Sequence, residues 1–245
     1  MNVAVISDIH ANWHALEAVL ADIDRAGVDE IWFLGDAVGY GAFPDECVRA
    51  LKERTSVFLL GNHDLAVLRE IDIGTFSPSA AAAARWTREH MEEDTVAALR
   101  DLDGTSSRRE EIGLFHASPR DPIWEYVVDS ELAEDNLDFQ QERVALIGHS
   151  HIALYFTRVD EMSRICSVLA PGGTDLKMTE GKWLVNPGSV GQPRDGDPRA
   201  AWAELDTTSF RILFHRVEYP VEEAAEAIRE AGLPGHLGDR LFKGQ

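Results

Sequence analysis

Apolar and amphipathic stretches alternate along the first quarter of the chain. Three largely apolar runs have the length of β-strands, at residues 2–6, 30–34 and 56–60. Residues 12–26 instead place apolar side chains at helical spacing behind Asn12, a suitable N-cap. Pro44 fits the first turn of a second helix. The resulting order of strand, helix, strand, helix and strand predicts a parallel sheet covered by helices.

Residues 66–104 depart from this alternation and carry only helical patterns. Ser77-Pro78-Ser79 precedes an alanine run, which predicts a capped helix, and a second helix is predicted around residues 92–101. The stretch is too short to form its own core, so we predict a single domain over residues 1–245 with a helical insertion. Residues 72–104 of the insertion either cover the opening of a site and limit substrate size or pack against the sheet.

Strand patterns dominate the second half of the chain. Apolar runs predict strands at residues 111–115 and 143–147, separated by a helix near 129–138. Beyond residue 151, Gly, Pro and Asp turns separate five further predicted strands, at residues 152–159, 164–170, 182–186, 200–206 and 210–217. Pro220 then opens a final amphipathic helix with acidic residues in its first turn.

Residue types that bind metals follow directly after five of the predicted strands. The five segments are Ser7-Asp8-Ile9-His10, Gly35-Asp36, Gly61-Asn62-His63-Asp64, Phe115-His116 and Gly148-His149-Ser150-His151. A single Asp or His in such a position is usually a cap or turn residue, so the ordered set carries the argument. Strand ends face the ligand crevice in open α/β sheets, so we expect these residues to converge there. In the first and last segments the ligand-type residues stand two apart, so each pair is expected to point to one side of an extended backbone.

The donor atoms in this set exceed what one metal ion needs. Two carboxylates, one amide oxygen and four imidazoles overfill the four positions of a zinc ion and suit two ions that share a bridging carboxylate. Mixed nitrogen and oxygen ligands without thiolate favour Mn, Fe, Zn or Co over Mg or Ca. Two ions about 3.5–4 Å apart are the usual apparatus for in-line displacement at phosphorus. The pattern therefore predicts two divalent transition-metal ions and phosphoester chemistry.

Composition and charge narrow the choice of partners and location. The chain has 23 Lys and Arg against 43 Asp and Glu among 245 residues, a formal net charge of -20. Such a surface disfavours nonspecific binding to nucleic acid or anionic membranes. No apolar run reaches the roughly 18–20 residues that span a bilayer, and Asp8 and His10 interrupt the position of a signal-peptide core, so we expect a cytoplasmic location. Two cysteines are too few for a disulfide scaffold or a four-thiolate zinc site.

The order of the motifs resembles that of the calcineurin-like metallophosphoesterase family. The matching series is Asp-x-His, Gly-Asp, Gly-Asn-His-Asp, His and Gly-His-x-His, which spans Asp8 to His151. The stretch Asn186–Arg194 resembles the C-terminal motif of the small bacterial phosphoesterases in that family. The resemblance implies a four-layer αββα sandwich, in which helices flank two mixed β-sheets. It also implies a metal-dependent hydrolase of a small phosphoester or nucleotide, foremost a phosphodiester, that works by attack of a hydroxide bridging two metal ions.

The same resemblance implies roles for the individual side chains. One metal ion would be bound by Asp8, His10 and His151, and the other by Asn62, His116 and His149. Asp36 would bridge the two ions. His63 would protonate the leaving group or contact the phosphate, and Asp64 would orient the His63 ring.

Three residues near these motifs are candidates for substrate binding, and each has a second interpretation. Asn12 either hydrogen-bonds a ligand or caps the first helix. Tyr40, in the loop after the second motif, either lies beside the substrate or packs within a turn. Arg194 either clamps phosphate or pairs on the surface with Asp195 or Asp197.

The resemblance leaves alternatives of two classes. Among enzymes, protein Ser/Thr phosphatases and dinucleoside-polyphosphate hydrolases use the same metal core. Outside enzymes, the retromer scaffold subunit keeps this fold but has lost the catalytic histidine of the Gly-Asn-His-Asp motif. Gly61-Asn62-His63-Asp64 is complete here, which argues against a non-catalytic scaffold.

Overall fold

Two six-stranded sheets and their covering helices make up the computed structural model, which describes residues 1–102, 104–160 and 163–245. In chain order the strands are β1 (Asn2–Ile6), β2 (Glu30–Phe33), β3 (Val57–Phe58), β4 (Ser106–Arg109), β5 (Ile112–Phe115), β6 (Val144–Leu146), β7 (Ala153–Arg158), β8 (Cys166–Leu169), β9 (Asp175–Lys177), β10 (Lys182–Pro187), β11 (Ala200–Asp206) and β12 (Arg211–Val217). The α-helices are α1 (Trp13–Ala26), α2 (Pro44–Arg54), α3 (Asn62–Val67), α4 (Pro78–His90), α5 (Glu93–Arg100), α6 (Ser130–Phe139), α7 (Val221–Glu230) and α8 (His236–Asp239). Short 3-10 helices lie at Ile73–Thr75 and Arg240–Lys243. Within the described ranges, none of the helices combines the length and the apolar character needed to cross a bilayer.

Both sheets combine parallel and antiparallel strands. The first has the order β3-β2-β1-β11-β12-β9, with β1, β2 and β3 parallel and the other pairs antiparallel. The second has the order β4-β5-β6-β10-β7-β8, with a parallel centre of β5, β6 and β10 and antiparallel edges. Strands from the C-terminal half therefore complete the sheet that the N-terminal half begins.

Strand alternation divides the side chains of each sheet between two cores. In β1, Val3 points into the core between the sheets, whereas Ala4 joins the core formed with the helices of the first sheet. In β6, Leu146 faces the other sheet, whereas Ala145 packs in the cluster that includes Leu137 of α6. Helices thus flank two packed mixed sheets, which confirms the predicted αββα fold.

The predicted helical insertion contains α4 and α5 and packs on the outer layer of the first sheet. Ala83 and Leu99 belong to the same apolar cluster as Leu16 of α1 and Leu51 of α2. Ser77 caps α4 as predicted, since its side chain accepts a hydrogen bond from the Ala80 N–H at 3.3 Å. The treatment of residues 1–245 as one domain stays a prediction.

The strand predictions fail at the edges of the sheets. β4, with the sequence Ser-Ser-Arg-Arg, and β9, with only three residues, were not predicted, and β3 is shorter than the apolar run at 56–60. All three are edge strands. An edge strand has one neighbour and needs little apolar alternation, so its sequence carries a weak signal.

Candidate metal centre

Five loops that follow strands meet at one end of the two sheets. The Asp8 N–H donates to the Gly35 carbonyl at 3.0 Å, which ties together the loops after β1 and β2. The Gly148 N–H donates to the His116 carbonyl at 2.7 Å, which ties together the loops after β5 and β6. The His149 N–H then donates to Asp8 Oδ2 at 3.1 Å. This last hydrogen bond joins the loops of one sheet to those of the other.

Four ligand-type residues adopt left-handed backbone conformations instead of the extended one predicted for them. The φ angles are 55° at Asp8, 52° at His10, 64° at His149 and 61° at His151. The chain turns as soon as each strand ends, so strand alternation no longer sets the side-chain directions. The extended backbone predicted for the two pairs is therefore wrong. Asp8 and His10 join one cluster, whereas His149 and His151 join different ones, as the resemblance implied.

Two glycines beside the ligand-type residues permit close approach where no side chain fits. A Cβ at Gly61 would lie 2.1 Å from Asp36 Oδ1, although the φ of Gly61 is an ordinary -103°. A Cβ at Gly148 would lie 2.1 Å from Ser7 Oγ. Both positions require glycine because of the neighbouring side chain rather than because of backbone freedom.

Asp8, His10 and His151 form a first cluster of ligand atoms. His151 Nε2 lies 3.0 Å from His10 Nε2 and 3.4 Å from Asp8 Oδ1. The Nδ1 atoms of His10 and His151 face backbone carbonyls, at 3.1 Å from Val38 and 2.7 Å from Gln192. These carbonyls favour a proton on each Nδ1, so both Nε2 atoms present lone pairs to each other. Facing lone pairs at this distance repel unless a proton or a cation lies between them.

Asn62, His116 and His149 form a second cluster, and Asp36 lies between the two. His116 Nε2 lies 3.2 Å from Asn62 Oδ1, and the ring centroids of His116 and His149 are 5.1 Å apart. Asp36 Oδ2 lies 3.6 Å from Nε2 of His116 and 3.6 Å from Nε2 of His10. One carboxylate oxygen is therefore shared by the two clusters.

The clusters contain buried polar atoms that have no hydrogen-bond partner among the described residues. They include Asp8 Oδ1, Asp36 Oδ2 and His149 Nε2. Buried polar atoms nearly always have partners, because removing them from water costs free energy. Carboxylate, amide and imidazole donors are the set that divalent transition metals accept. Cations between the clusters would supply the missing partners, so these residues fit metal ions.

Burial shifts the titration of the clustered side chains toward their neutral forms. It raises the pKa of Asp8 to about 7 and that of Asp36 well above its usual range. It lowers the pKa of His116 to about 4 and holds that of His10 well below its usual value. Neutral imidazole is the form that binds a metal, and a nearby cation would favour the ionised carboxylates again.

Asp64 has different partners from those predicted for it. Its carboxylate accepts four hydrogen bonds from backbone N–H groups, of Asp36 at 2.9 Å, Ala37 at 3.3 Å, Val38 at 3.1 Å and Gly61 at 2.9 Å. The His63 ring has no hydrogen bond at Nδ1 among the described residues. Asp64 therefore holds the Asp36 loop in place instead of orienting the His63 ring, because backbone donors surround its carboxylate.

His63 lies at the edge of the first cluster. Its ring packs against three others, with centroid distances of 4.9 Å to His10, 4.5 Å to Tyr40 and 4.9 Å to Phe76. Burial, with a contribution from the charge of Arg194, lowers the pKa of His63 to about 3. A negative phosphoryl group beside the ring would raise this pKa, because it favours the protonated form.

Asn12 is committed to the protein at both ends of its amide. Its Oδ1 accepts from the Ala15 N–H at 3.2 Å, which caps α1. Its Nδ2 donates to the Gly191 carbonyl at 2.8 Å, which ties the loop after β1 to the glycine-rich C-terminal segment. The structure therefore supports the capping interpretation of Asn12 over ligand binding.

Tyr40 and Arg194 lie together at the opening of the site. The guanidinium carbon of Arg194 is 5.8 Å from the centroid of the Tyr40 ring, and the ring is 4.8 Å from that of His10. The alternative pairing of Arg194 is wrong. The two acids suggested for it have other partners, Arg216 for Asp195 and Arg199 for Asp197. Arg194 is thus a cation close enough to lower the pKa of His10 and of His151, after the larger effect of burial.

Three aromatic side chains at the opening are missing from the sequence predictions. Phe76, at the end of the first 3-10 helix, lies 5.9 Å from Trp124 between ring centroids. Tyr126 lies 4.0 Å from His149. For Trp124 and Tyr126 the sequence did contain a signal, since these two large aromatic residues lie in the segment between a predicted strand and a predicted helix.

The comparison with known families covers most of the chain. The model of the calcineurin-like phosphoesterase superfamily domain matches residues 1–208. This chain belongs to the calcineurin-like phosphoesterase superfamily. Members of the superfamily are generally hydrolases that use divalent metal ions, and the two clusters supply side chains able to hold them. The predicted family is confirmed.

Relatives of this superfamily member include proteins that match it along its whole length. An uncharacterized protein of Methanocaldococcus jannaschii is 38% identical over 99% of this chain and 98% of its own length. The crystal structure of a metallophosphoesterase from Sphaerobacter thermophilus is 38% identical, with a TM-score of 0.90 over 100% of this chain and 99% of that one. A symmetrical bis(5'-nucleosyl)-tetraphosphatase of Actinobacillus pleuropneumoniae is 36% identical over 67 residues, which are 26% of this chain and 25% of the relative.

Proposed function

We propose that this phosphoesterase hydrolyses phosphodiesters at a centre of two divalent transition-metal ions, with Mn the first candidate. One ion would be held by Asp8, His10 and His151, and the other by Asn62, His116 and His149. Asp36 would bridge the ions, because its Oδ2 lies 3.6 Å from an Nε2 atom in each cluster. This shared oxygen is the observation that carries the proposal. When bound, the ions would supply an activated water and positive charge at the phosphoryl oxygens.

The chain's own residues would position the ester and manage its protons. Arg194 would bind a phosphoryl oxygen, since it places a cation at the opening of an otherwise acidic protein. His63 would protonate the leaving oxygen once the phosphoryl group has raised its pKa from about 3. If that pKa stays low, His63 would instead donate a hydrogen bond to an equatorial oxygen through its N–H.

Hydrolysis of dinucleoside polyphosphates is a second candidate function. It is supported by the local likeness to a symmetrical bis(5'-nucleosyl)-tetraphosphatase, which is 36% identical over 67 residues. That likeness covers 26% of this chain, so the phosphodiester remains the first choice.

The proposal is tested with metal-stripped protein that is reloaded with Mn, Fe, Zn or Co. The substrates are bis(p-nitrophenyl) phosphate, p-nitrophenyl phosphate, diadenosine tetraphosphate and a phosphopeptide. We expect two ions per chain, fastest hydrolysis of the diester, and loss of activity on chelation. Asp36→Asn should lower both metal content and turnover. Asp29→Asn should keep both, because Asp29 is an exposed carboxylate that accepts one hydrogen bond from the Asn2 N–H at the start of β1, the end opposite the site.

Each other result has a defined meaning. Faster hydrolysis of diadenosine tetraphosphate would favour the second candidate, and faster hydrolysis of the phosphopeptide would favour a protein phosphatase. Turnover that survives exhaustive chelation would contradict the metal mechanism. Two bound ions without turnover on any substrate would indicate a scaffold.

A further inference from the structure

Polar residues hold the loop between β5 and α6 through several hydrogen bonds. Asp121 Oδ1 accepts hydrogen bonds from the N–H groups of Ile123 and Trp124, both at 3.1 Å. Glu125 turns inward, where its Oε2 accepts from Ser118 Oγ at 2.6 Å and from an amide of α6 at 2.7 Å. Glu125 thus points into the protein, while its two chain neighbours are exposed.

Those two neighbours are large aromatic residues with exposed rings. Trp124 is 39% exposed and Tyr126 is 44% exposed, whereas the next residue, Val127, is buried. Single exposed apolar residues are common, whereas exposed aromatic residues grouped in one patch mark a ligand or partner site.

The rings lie beside the candidate metal centre rather than on a remote surface. Tyr126 is 4.0 Å from the His149 ring, and the Trp124 ring is 5.9 Å from Phe76, which is 4.9 Å from His63. Phe76 comes from the helical insertion and the other two from the loop before α6. We call these three residues, Phe76, Trp124 and Tyr126, the aromatic rim.

A cation adjoins the aromatic rim. Arg194 Nη1 lies 3.4 Å from the Tyr126 hydroxyl, and Arg194 has no carboxylate partner among the described residues. The buried Arg194 Nε also lacks a hydrogen-bond partner there. Arg194 Nη2 donates to Gln192 Oε1 at 2.8 Å, so the guanidinium has neutral hydrogen-bond partners but no anion. Exposed rings next to such a guanidinium match a ligand with a planar ring and an anionic group, which distinguishes this patch from a purely apolar protein interface.

We propose that the aromatic rim stacks against a nucleobase of the substrate, so that the phosphodiester hydrolysed is of the nucleotide type. This inference rests on the proposed function of the metal centre. Trp124 would be a specificity residue, since its ring is exposed and no described hydrogen bond fixes its indole nitrogen. Stacking on such rings tolerates different bases, because every base has a π-face.

Two esters with the same leaving group test the proposal. The p-nitrophenyl ester of thymidine 5'-phosphate carries a nucleoside, and methyl p-nitrophenyl phosphate carries a methyl group in its place. We expect Trp124→Leu to raise KM for the nucleoside ester roughly tenfold more than KM for the methyl ester. Trp124→Phe should restore most of the loss. Phe139→Leu is the matched control, because Phe139 is an aromatic residue that is 62% exposed at the end of α6.

Failure to hydrolyse either ester would count against the proposed function but not against base stacking. A binding measurement tests the stacking separately. Thymidine 5'-monophosphate should quench part of the emission of the six tryptophans, and ribose 5-phosphate should not. Trp124→Phe should remove that quenching. Equal effects of Trp124→Leu on both esters, or identical quenching in wild type and Trp124→Phe, would overturn the proposal. Concentration-dependent dimerisation that Trp124→Leu abolishes would assign the rim to a second copy and would also overturn it.

Discussion

Replacing Gly61 with alanine is expected to displace Asp36, the candidate bridging residue, without straining the φ and ψ of residue 61 itself. The φ and ψ of Gly61, -103° and 179°, are open to alanine. The added Cβ would lie 2.1 Å from Asp36 Oδ1 and 2.6 Å from both Asp36 Cγ and the Asp36 backbone nitrogen. The cost of the substitution is therefore a collision with one residue, Asp36.

The size of the effect follows from how far Asp36 must move. Separations below 3.0 Å are essentially never seen for a Cβ, so the carboxylate must shift by about 1 Å. Asp36 has little room to do so, because its Oδ1 accepts the His63 N–H at 2.8 Å and its own N–H donates to Asp64 at 2.9 Å. Overpacking of this kind lowers the free energy of unfolding by ~1–3 kcal/mol. A displacement of about 1 Å at a reacting centre reduces turnover by roughly 100-fold.

Three measurements check this prediction: urea unfolding of metal-free protein, metal analysis, and hydrolysis of a diester. Gly27→Ala is the control, because Gly27 has a φ of +70° and no atom within 4 Å of an added Cβ. It should lose about 1–2 kcal/mol from left-handed strain and keep its metals and turnover. The placement of Gly61 against Asp36 would be refuted by two results together. They are a free energy of unfolding within about 0.5 kcal/mol of wild type for Gly61→Ala and normal binding of two ions.

Two further predictions concern His63 and the cysteines. His63→Ala should keep both metal ions while turnover falls by roughly 10²–10⁴-fold, with a larger loss for alkyl than for aryl leaving groups. Equal losses of turnover for the two esters would indicate that His63 contacts only the equatorial oxygens. Loss of one metal ion in His63→Ala would indicate that His63 is a metal ligand. A chromogenic disulfide reagent should label exposed Cys166 in native protein and buried Cys47 only after unfolding, because burial raises the pKa of the Cys47 thiol. Rapid labelling of native Cys47 would contradict its placement in the core.

Local patterns predict the elements whose signals are local. The helix expected at 12–26 is Trp13–Ala26, because its apolar stripe and its cap at Asn12 lie within the segment itself. The way in which β11 and β12 complete the first sheet could not be predicted, since pairing with β1 depends on contacts between the two ends of the chain. The same limit applies to Asp64, whose backbone donors come mainly from the loop after β2.

The sequence by itself determined which ligand types the site contains and the order in which they follow the strands. The division of His149 and His151 between two ions was implied only by the resemblance, and the backbone that produces it was decided by the tertiary structure. His149 joins Asp36 and His151 joins Asp8 in a turn where both residues have left-handed φ angles, whereas the sequence pattern had predicted an extended backbone. The aromatic rim depends on tertiary structure even more. Phe76 approaches Trp124 to 5.9 Å only because packing brings the helical insertion against a loop of the second sheet.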